Sequence, residues 1–289
     1  MENPSLHGLR IGKYTFRMKI GEGATSEVWK CEVSGQSPVA VKFVSSQRSK
    51  YSEIAKYTKG EYDFYKKHNS PFLLEPFNVH VDNRGYYLFF EYFEGPDLFH
   101  AFQHQRELYQ PILEVYFNKM VLAMQFVHKH KTVHCDIKPE NFLVDLEGNL
   151  KIIDFSIMKK VSDFKILNRF FKSKMEGTPE YMSPEQIRKK NISYESDIYS
   201  LGLVFYYLVT GKIPFKGNTH QETLHNNLWN ELVEPIKVKR NNCCPVLNSL
   251  IKNMIMKDPK KRINNITEIL LILRKCNFGS GSSISLSSV

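Results

Sequence analysis

The 289-residue sequence has no apolar run near the ~20 residues that a membrane-crossing helix needs; its best, Leu201 to Val209, is less than half that. The opening residues, MENPSLHGLRIG, lack the apolar centre of a secretory leader, and Glu2 stands where myristoylation requires glycine. A cytoplasmic or nuclear protein with no membrane partner is expected. The five cysteines, Cys31, Cys135, Cys243, Cys244 and Cys276, are odd in number and include no CxxC pair. Neither a disulfide framework nor a zinc site is suggested, and the thiols are expected to be reduced. There is also no dense block of one charge. The formal net charge is +10, yet Lys and Arg are spread through runs such as SSQRSK (45–50), QIRKK (186–190) and KDPKKR (257–262). Solvated faces account for this better than nucleic acid or anionic lipid, and with no recognition motif present no nucleic-acid partner is expected.

What is present is core material. Hydrophobic residues make up 42% of the chain and include 20 Phe and 15 Tyr, which excludes disorder of the whole. From residue 14 to about 90, YTFRMKIGEG, SEVWKCEVS, SPVAVKFVS and GYYLFFEYF read as short strands bounded by Gly, Pro or Asn. One helical stretch, 51–68, interrupts them, so the first part is α+β with an antiparallel sheet. After EGPD (94–97) the spacing turns helical at 113–130, 196–211, 246–258 and 265–277, with Ser, Asp or Asn placed to cap several of these helices. The GSGSSISLSS tail is too poor in apolar groups to order itself.

Several motifs carry chemistry. Gly21-Glu22-Gly23-Ala24-Thr25-Ser26-Glu27-Val28 sits between two predicted strands, where glycines let backbone N–H groups approach phosphate oxygens. A glycine-rich hairpin turn with no ligand reads the same way when taken alone. Next, Val39-Ala40-Val41-Lys42 ends a strand in a lysine with apolar neighbours. Such an ammonium needs an anion, and Glu61 on the one helix of this part is the candidate, the alternative being a solvated helix residue. In His134-Cys135-Asp136-Ile137-Lys138-Pro139-Glu140-Asn141, a loop after a helix, Asp136 and Asn141 lie five apart around Lys138. Asp154 ends the apolar run LKIID. Oxygen donors at Asn141 and Asp154 suit Mg2+, Asp136 would accept or orient a hydroxyl proton, and Lys138 would steady a transferred phosphate.

Taken in order, GEGATSEV, VAVK, Glu61, HCDIKPEN, DFS, GTPEYMSPE (177–185), DIYSLG (197–202) and KDPKKR resemble a eukaryotic protein kinase domain of serine/threonine type, over residues 14–277. The resemblance implies an α+β, bilobal protein kinase fold. An N-lobe of about 14–91 would carry a small antiparallel β-sheet and one helix, a hinge lies at about 91–95, and a larger, mainly α-helical C-lobe fills about 96–277. Residues 1–13 would be an N-terminal extension and 278–289 a disordered Ser/Gly-rich tail, which leaves no room for a regulatory domain. The implied reaction is transfer of the ATP γ-phosphoryl to Ser or Thr hydroxyls of protein substrates, with Mg2+ as cofactor and the protein a monomer. Lys42 would meet the α and β phosphates, held by Glu61; Ile20, the loop 21–26, Val28 and Ala40 would line the nucleotide. Backbone at Glu91 and Phe93 would meet adenine, behind a bulky Phe90. Glu185 would pair with Arg262, and Lys138 with Thr178 marks the serine/threonine class. Glu140 and Asp97 match positions that in basophilic kinases hold a substrate arginine, although the basic stretch Lys159, Lys160, Lys165, Arg169, Lys172 and Lys174 favours acidic peptides.

Three residues depart from the family pattern. Ser26 replaces a loop glycine, where a small residue is tolerated. Ser156 turns DFG into DFS; if that position has positive φ, serine there costs roughly 1 kcal/mol. Cys135 replaces the arginine that in many kinases is neutralised by a phosphorylated activation segment. Lys174 stands where the phosphothreonine would be, so acceptor and receptor of that switch are both missing. The expectation is an active kinase that does not depend on activation-loop phosphorylation. The competing expectation, motivated by the same three departures, is a pseudokinase serving as a binding scaffold.

Overall fold

The computed structural model of the chain describes residues 5–161, 177–232 and 245–276. These form two compact units: one takes in the chain to Glu94 together with Ile153–Ser156, and the other Gly95–Ile152 and the chain from Ile157 onward. The antiparallel sheet and the mainly helical body that the resemblance implied are both present. Among the described residues, no helix is long and apolar enough to cross a membrane.

The first unit is built on one sheet of β1 (Arg10–Ile11), β2 (Tyr14–Glu22), β3 (Glu27–Val33), β4 (Gln36–Ser45), β5 (Pro76–Asp82) and β6 (Gly85–Glu91), in the order β1-β2-β3-β4-β6-β5 and antiparallel throughout. Alternation sets its faces: along β3, Glu27, Trp29, Cys31 and Val33 point inward and the residues between them do not. Phe16, Val41, Tyr87 and Phe89 complete that core, with the Phe43 and Tyr87 rings stacked at 4.7 Å. Strand β5 has no counterpart in the sequence reading. It is an edge strand whose residues are exposed or half-buried, and it opens with a proline, so the core-facing pattern is faint. The predicted helix is α1 (Tyr51–Lys67), entered through Lys50 in the left-handed region without a side-chain cap, and ended by Lys66 and Lys67 in the turn that favours cations. Its buried residues are Thr58, Glu61, Phe64 and Tyr65, spaced by helical turns so that they share one stripe. Helical periodicity thus puts a carboxylate on an otherwise apolar face.

In the second unit, α2 (Leu98–His104), α3 (Arg106–Tyr109) and α4 (Leu113–Lys129) lead into β7 (Thr132–Val133) and a hairpin of β8 (Phe142–Val144) and β9 (Leu150–Ile152). Then come β10 (Lys159–Lys160), paired with β7, and helices α5 (Pro184–Ile187), α6 (Tyr194–Thr210), α7 (His220–Trp229), α8 (Pro245–Met254) and α9 (Ile266–Leu273). Helix α6 starts two residues before its predicted range, behind a Ser193 capping box, and stops at Gly211, whose φ is 73°. It is buried on every side, which its continuous apolar sequence requires. Gly202 lets α8 reach it: a Cβ there would stand 2.8 Å from both Met254 Cβ and Ile255 Cγ2. Glu185 and Arg262 form the expected ion pair at 2.7 Å with almost no exposure of either side chain.

Helix α8 ends at Met254, not at 258 as the periodicity suggested. Beyond it Lys257 turns inward, donating to the Tyr199 hydroxyl and the Asn227 carbonyl, both at 2.8 Å, with the Phe215 ring centroid 3.4 Å away. Burial, helped by the Arg262 and Arg188 guanidiniums and opposed by Glu231, pushes the Lys257 ammonium down to about 7. The unfolded chain holds that proton up to the ordinary value of 10.5, so between these pH values the unfolded state binds more protons and stability rises with pH. The urea midpoint of the wild type is expected to climb more between pH 7 and pH 9 than that of Lys257→Met; parallel slopes contradict the assignment.

Candidate active site

The candidate residues fall into two constellations, one in each unit. In the first, Lys42 on β4 sends its ammonium to Glu61 Oε2 at 2.6 Å and to Asp154 Oδ1 at 2.9 Å. The Lys42 and Glu61 side chains are 12% and 3% exposed and that of Asp154 35%, so the cation is closed in by one buried carboxylate and one that reaches the surface. Burial by itself would lower the Lys42 pKa, but the two carboxylates outweigh it and the ammonium stays charged. Burial acts on Glu61 in the opposite sense and lifts its pKa, with Lys42 pulling it back. The Phe155 N–H also donates to Glu61 Oε1 at 3.3 Å, and the Phe155 ring stacks on Phe64 with centroids 4.5 Å apart. The segment carrying Asp154 is therefore fastened to the same helical stripe that carries Glu61.

Asp154 itself holds φ at +65°, a conformation that side-chain-bearing residues avoid. Ser156 is not among the described residues with positive φ. The expected cost of serine at that position does not arise, and the local strain sits on the carboxylate-bearing residue instead.

The glycine-rich run forms the β2–β3 turn. Gly21 lies across from Val28 and half-buried, Ile20, Glu22, Gly23, Ala24 and Thr25 are exposed, and Ser26 is buried. The Gly23 N–H closes the turn on the Ser26 carbonyl at 2.8 Å, and Glu22 pairs with Lys19 at 2.7 Å. Ser26 has no positive φ, as a tolerated replacement requires. Sequence reasoning missed Arg48, whose Nη1 donates to the Ala24 carbonyl at 2.8 Å and so ties the turn to the start of α1. Val28 faces Lys42 across β3 and β4, Lys30 faces Ala40, and all of these positions are half-buried. The Glu91 N–H donates to the Glu75 carbonyl at 2.9 Å; Phe93 is half-buried, and Phe90 is buried against Tyr62 and Tyr65.

In the second unit, Asp136 Oδ1 accepts from the Thr178 N–H at 3.1 Å and the Thr178 hydroxyl at 3.0 Å, while Lys138 Nζ lies 3.0 Å from Asp136 Oδ2 and 3.0 Å from Thr178 Oγ1. Asn141 Nδ2 donates to the Asp136 carbonyl at 2.7 Å and to Oδ2 at 3.3 Å. Both of these bonds use the amide nitrogen, and neither uses the amide oxygen. The loop is anchored by Asp197 at the start of α6, a role the DIYSLG run did not reveal. Its carboxylate accepts from the N–H groups of His134 and Cys135 at 2.9 and 3.0 Å and meets His128 Nε2 at 2.9 Å. The Cys135 side chain packs with Val133 and Ile192, flanked by Ile157, Val161 and Tyr194, as the small apolar filler expected of a buried thiol. Asp97 caps α2 through the His100 N–H at 2.9 Å, and burial raises the Glu140 carboxyl above its ordinary pKa. Lys159 and Lys160 form β10, whereas Lys165, Arg169, Lys172 and Lys174 lie outside the described residues, as does the 278–289 tail.

Residues 14–271 match the family described as the protein kinase domain. The chain is 30% identical over 255 residues to the SNF1-like protein kinase ssp2 of Schizosaccharomyces pombe, covering 88% of this chain and 42% of that protein. It is 27% identical over 247 residues to the Arabidopsis thaliana serine/threonine-protein kinase AtPK2/AtPK19, covering 85% and 50%, and 28% identical over 260 residues to human NUAK family SNF1-like kinase 2, covering 89% and 39%. The chain thus spans between about two fifths and one half of these relatives.

Replacing Lys42 by Met leaves Glu61 and Asp154 facing each other without a cation. A loss of about 3–5 kcal/mol of folding stability is expected, as for other buried pairs broken from one side. Adding Glu61→Gln removes the uncompensated carboxylate and is expected to restore part of it. Urea denaturation of the single and double variants checks both, and additive losses contradict the coupling.

Proposed function

This chain belongs to the protein kinase domain family, and on that premise we propose that it transfers the γ-phosphoryl group of ATP to serine or threonine hydroxyls of protein substrates. The observation that carries the reading is the Asp136 carboxylate, steadied by Thr178 and Lys138 in a loop whose backbone is pinned by Asp197. A carboxylate so held can take a hydroxyl proton without reorganising. The catalytic domain is read as residues 14–277.

In the proposed reaction a substrate hydroxyl oxygen bonds to the γ-phosphorus, the bond from that phosphorus to the β,γ-bridging oxygen breaks, and ADP leaves. Asp136 receives the hydroxyl proton. Lys138 sits beside it as the cation for the transferred group, and the hydroxyl of Thr178 keeps both in register. Lys42 is assigned to the α and β phosphates, with Glu61 holding its ammonium in place. The glycine-rich run from Gly21 to Ser26 would cover the phosphates, Ile20, Val28 and Ala40 would give adenine apolar contact, and Glu91 and Phe93 would offer it backbone groups. Because the Glu91 N–H is used by Glu75, its carbonyl is the group assigned to adenine.

Mg2+ prefers hard oxygen donors, and the amide oxygen of Asn141 and the carboxylate of Asp154 are each proposed as ligands for it. When bound, Mg2+ supplies charge neutralisation for the phosphates. The positive φ of Asp154 supports this assignment, since a strained carboxylate fastened by its neighbours is a feature of functional positions.

Cys135 is proposed to release the enzyme from activation-segment phosphorylation. In place of a cation awaiting a phosphate, a thiol fills an apolar cluster, so no buried charge waits to be neutralised. The scaffold reading rested partly on strain at Ser156, and it loses that support because Ser156 has no positive φ. A monomer acting on protein substrates that bear Ser or Thr completes the proposal.

Phosphatase-treated protein, given Mg·ATP and casein, is expected to transfer phosphate at once, and Asp136→Asn to lower the rate at least ~100-fold. Transfer that appears only after treatment with an upstream kinase contradicts the independence from phosphorylation. Transfer that survives Asp136→Asn contradicts the assignment of the proton acceptor.

A further inference from the structure

The peptide between Cys135 and Asp136 has a restraint that the reading above does not use. Cys135 holds φ at +71°, which turns its carbonyl away from the course of an ordinary loop and toward α5. There the carbonyl accepts from Gln186 Nε2 at 2.7 Å, a bond between two residues that are 5% and 6% exposed. Gly177 lies against the same carbonyl: a Cβ on it would stand 3.5 Å from the Cys135 oxygen and 3.0 Å from Met182 Cε.

The orientation of the Gln186 amide is fixed by its surroundings. Its Oε1 accepts from the Ser183 N–H at 3.0 Å and from the Ser183 hydroxyl at 3.0 Å, and the Gln186 N–H donates back to Ser183 Oγ at 3.3 Å. Turning the amide over would set Nε2 against an N–H donor and an oxygen against the Cys135 carbonyl, so the amide points one way only. One side chain therefore does two jobs: its oxygen completes the capping box of α5, and its nitrogen holds a peptide 51 residues earlier in the chain.

The Cys135 carbonyl and the Asp136 N–H belong to one planar peptide. A left-handed residue is prone to relax by rotating that plane, and such a rotation would swing the Asp136 side chain with it. Bonds among the described residues oppose the rotation: Cys135 N–H to Asp197 Oδ1 at 3.0 Å on one side, Asp136 N–H to His134 Nδ1 at 3.3 Å on the other, and Gln186 to the carbonyl between them. Of these, only the Gln186 bond is made by a side chain to the carbonyl face.

We propose that Gln186 is a positioning residue for phosphoryl transfer, setting the orientation of the Cys135–Asp136 peptide and through it the Asp136 carboxylate. The inference rests on the reading of Asp136 as proton acceptor. Gln186→Glu tests it, because the carboxylate keeps the volume and the Oε1 acceptor of the capping box and removes the donor to Cys135. At pH 8.5, well above the ordinary carboxyl range, kcat is expected to fall at least ~10-fold, because small misplacements of a reacting group cost this much or more. KM for ATP is expected to stay within about twofold, while Tm falls, because an ionised carboxylate replaces a buried amide. Gln186→Met, which removes the donor without introducing charge, is expected to lower kcat in the same way and serves should the Glu variant not fold. Wild-type kcat in the folded variant overturns the proposal, as does a kcat loss matched by an equal rise in KM for ATP. A crystal structure of the variant reads the geometry without reference to activity. A Cys135–Asp136 peptide rotated from its wild-type orientation upholds the positioning of that peptide by Gln186 independently of activity, and an unmoved peptide overturns it. A wild type inactive under all conditions overturns the functional reading instead.

Discussion

An ammonium enclosed by two carboxylates is the constraint on which the first unit depends. Lys42 has few exposed atoms, and Glu61 and Asp154, 2.6 and 2.9 Å away, raise its pKa above the ordinary lysine value. Each partner arrives from a different part of the sequence: Lys42 from β4, Glu61 from the buried stripe of α1, and Asp154 from a short segment 112 residues further along the chain. Leaving any one of them alone in such surroundings is costly, so the pairing fixes the helix against the sheet and the Asp154 segment against both. The Phe155 ring, stacked on Phe64 and set edge-on to Tyr65, adds apolar contact to the same junction.

Among its described residues, the second unit is organised around several clusters of buried and half-buried polar groups that bond to one another. Asp197 gathers two backbone N–H groups and a histidine, Glu185 holds Arg262, and Thr178 with Lys138 frames Asp136. Such networks are expensive when incomplete, which is why they specify geometry so closely when whole. The Cys135 thiol belongs to the apolar surroundings of this network and carries no charge into it. Its backbone, held in a left-handed conformation, does the positioning that the side chain does not.

Much of this was legible in the sequence because it repeats with a short period. Alternation marked β2, β3, β4 and β6, and helical spacing marked α1, α4 and α6 within a few residues. Edge strand β5 escaped because exposure on both faces erases alternation, and α8 ran short because Lys257 leaves the helix to find acceptors in the core. The candidate site residues were picked out by motif order, which carries identity but not conformation. Strain at Ser156 was expected only if that position held a positive φ, and positive φ is found at Asp154 and Cys135 instead. Bonds such as Arg48 to the Ala24 carbonyl or Gln186 to the Cys135 carbonyl join side chains to distant backbone, and no local pattern announces them.

The central claim is that the Lys42 cation is held ready for phosphate and is not merely a structural ion pair. A crystal structure with Mg2+ and a non-hydrolysable ATP analogue tests this most directly. The account predicts that Lys42 Nζ keeps Glu61 but exchanges the Asp154 oxygen for α and β phosphate oxygens, while Asp154 and Asn141 ligate the metal. A bound nucleotide with Lys42 still closed on Asp154, or no nucleotide at saturating concentration, would contradict it.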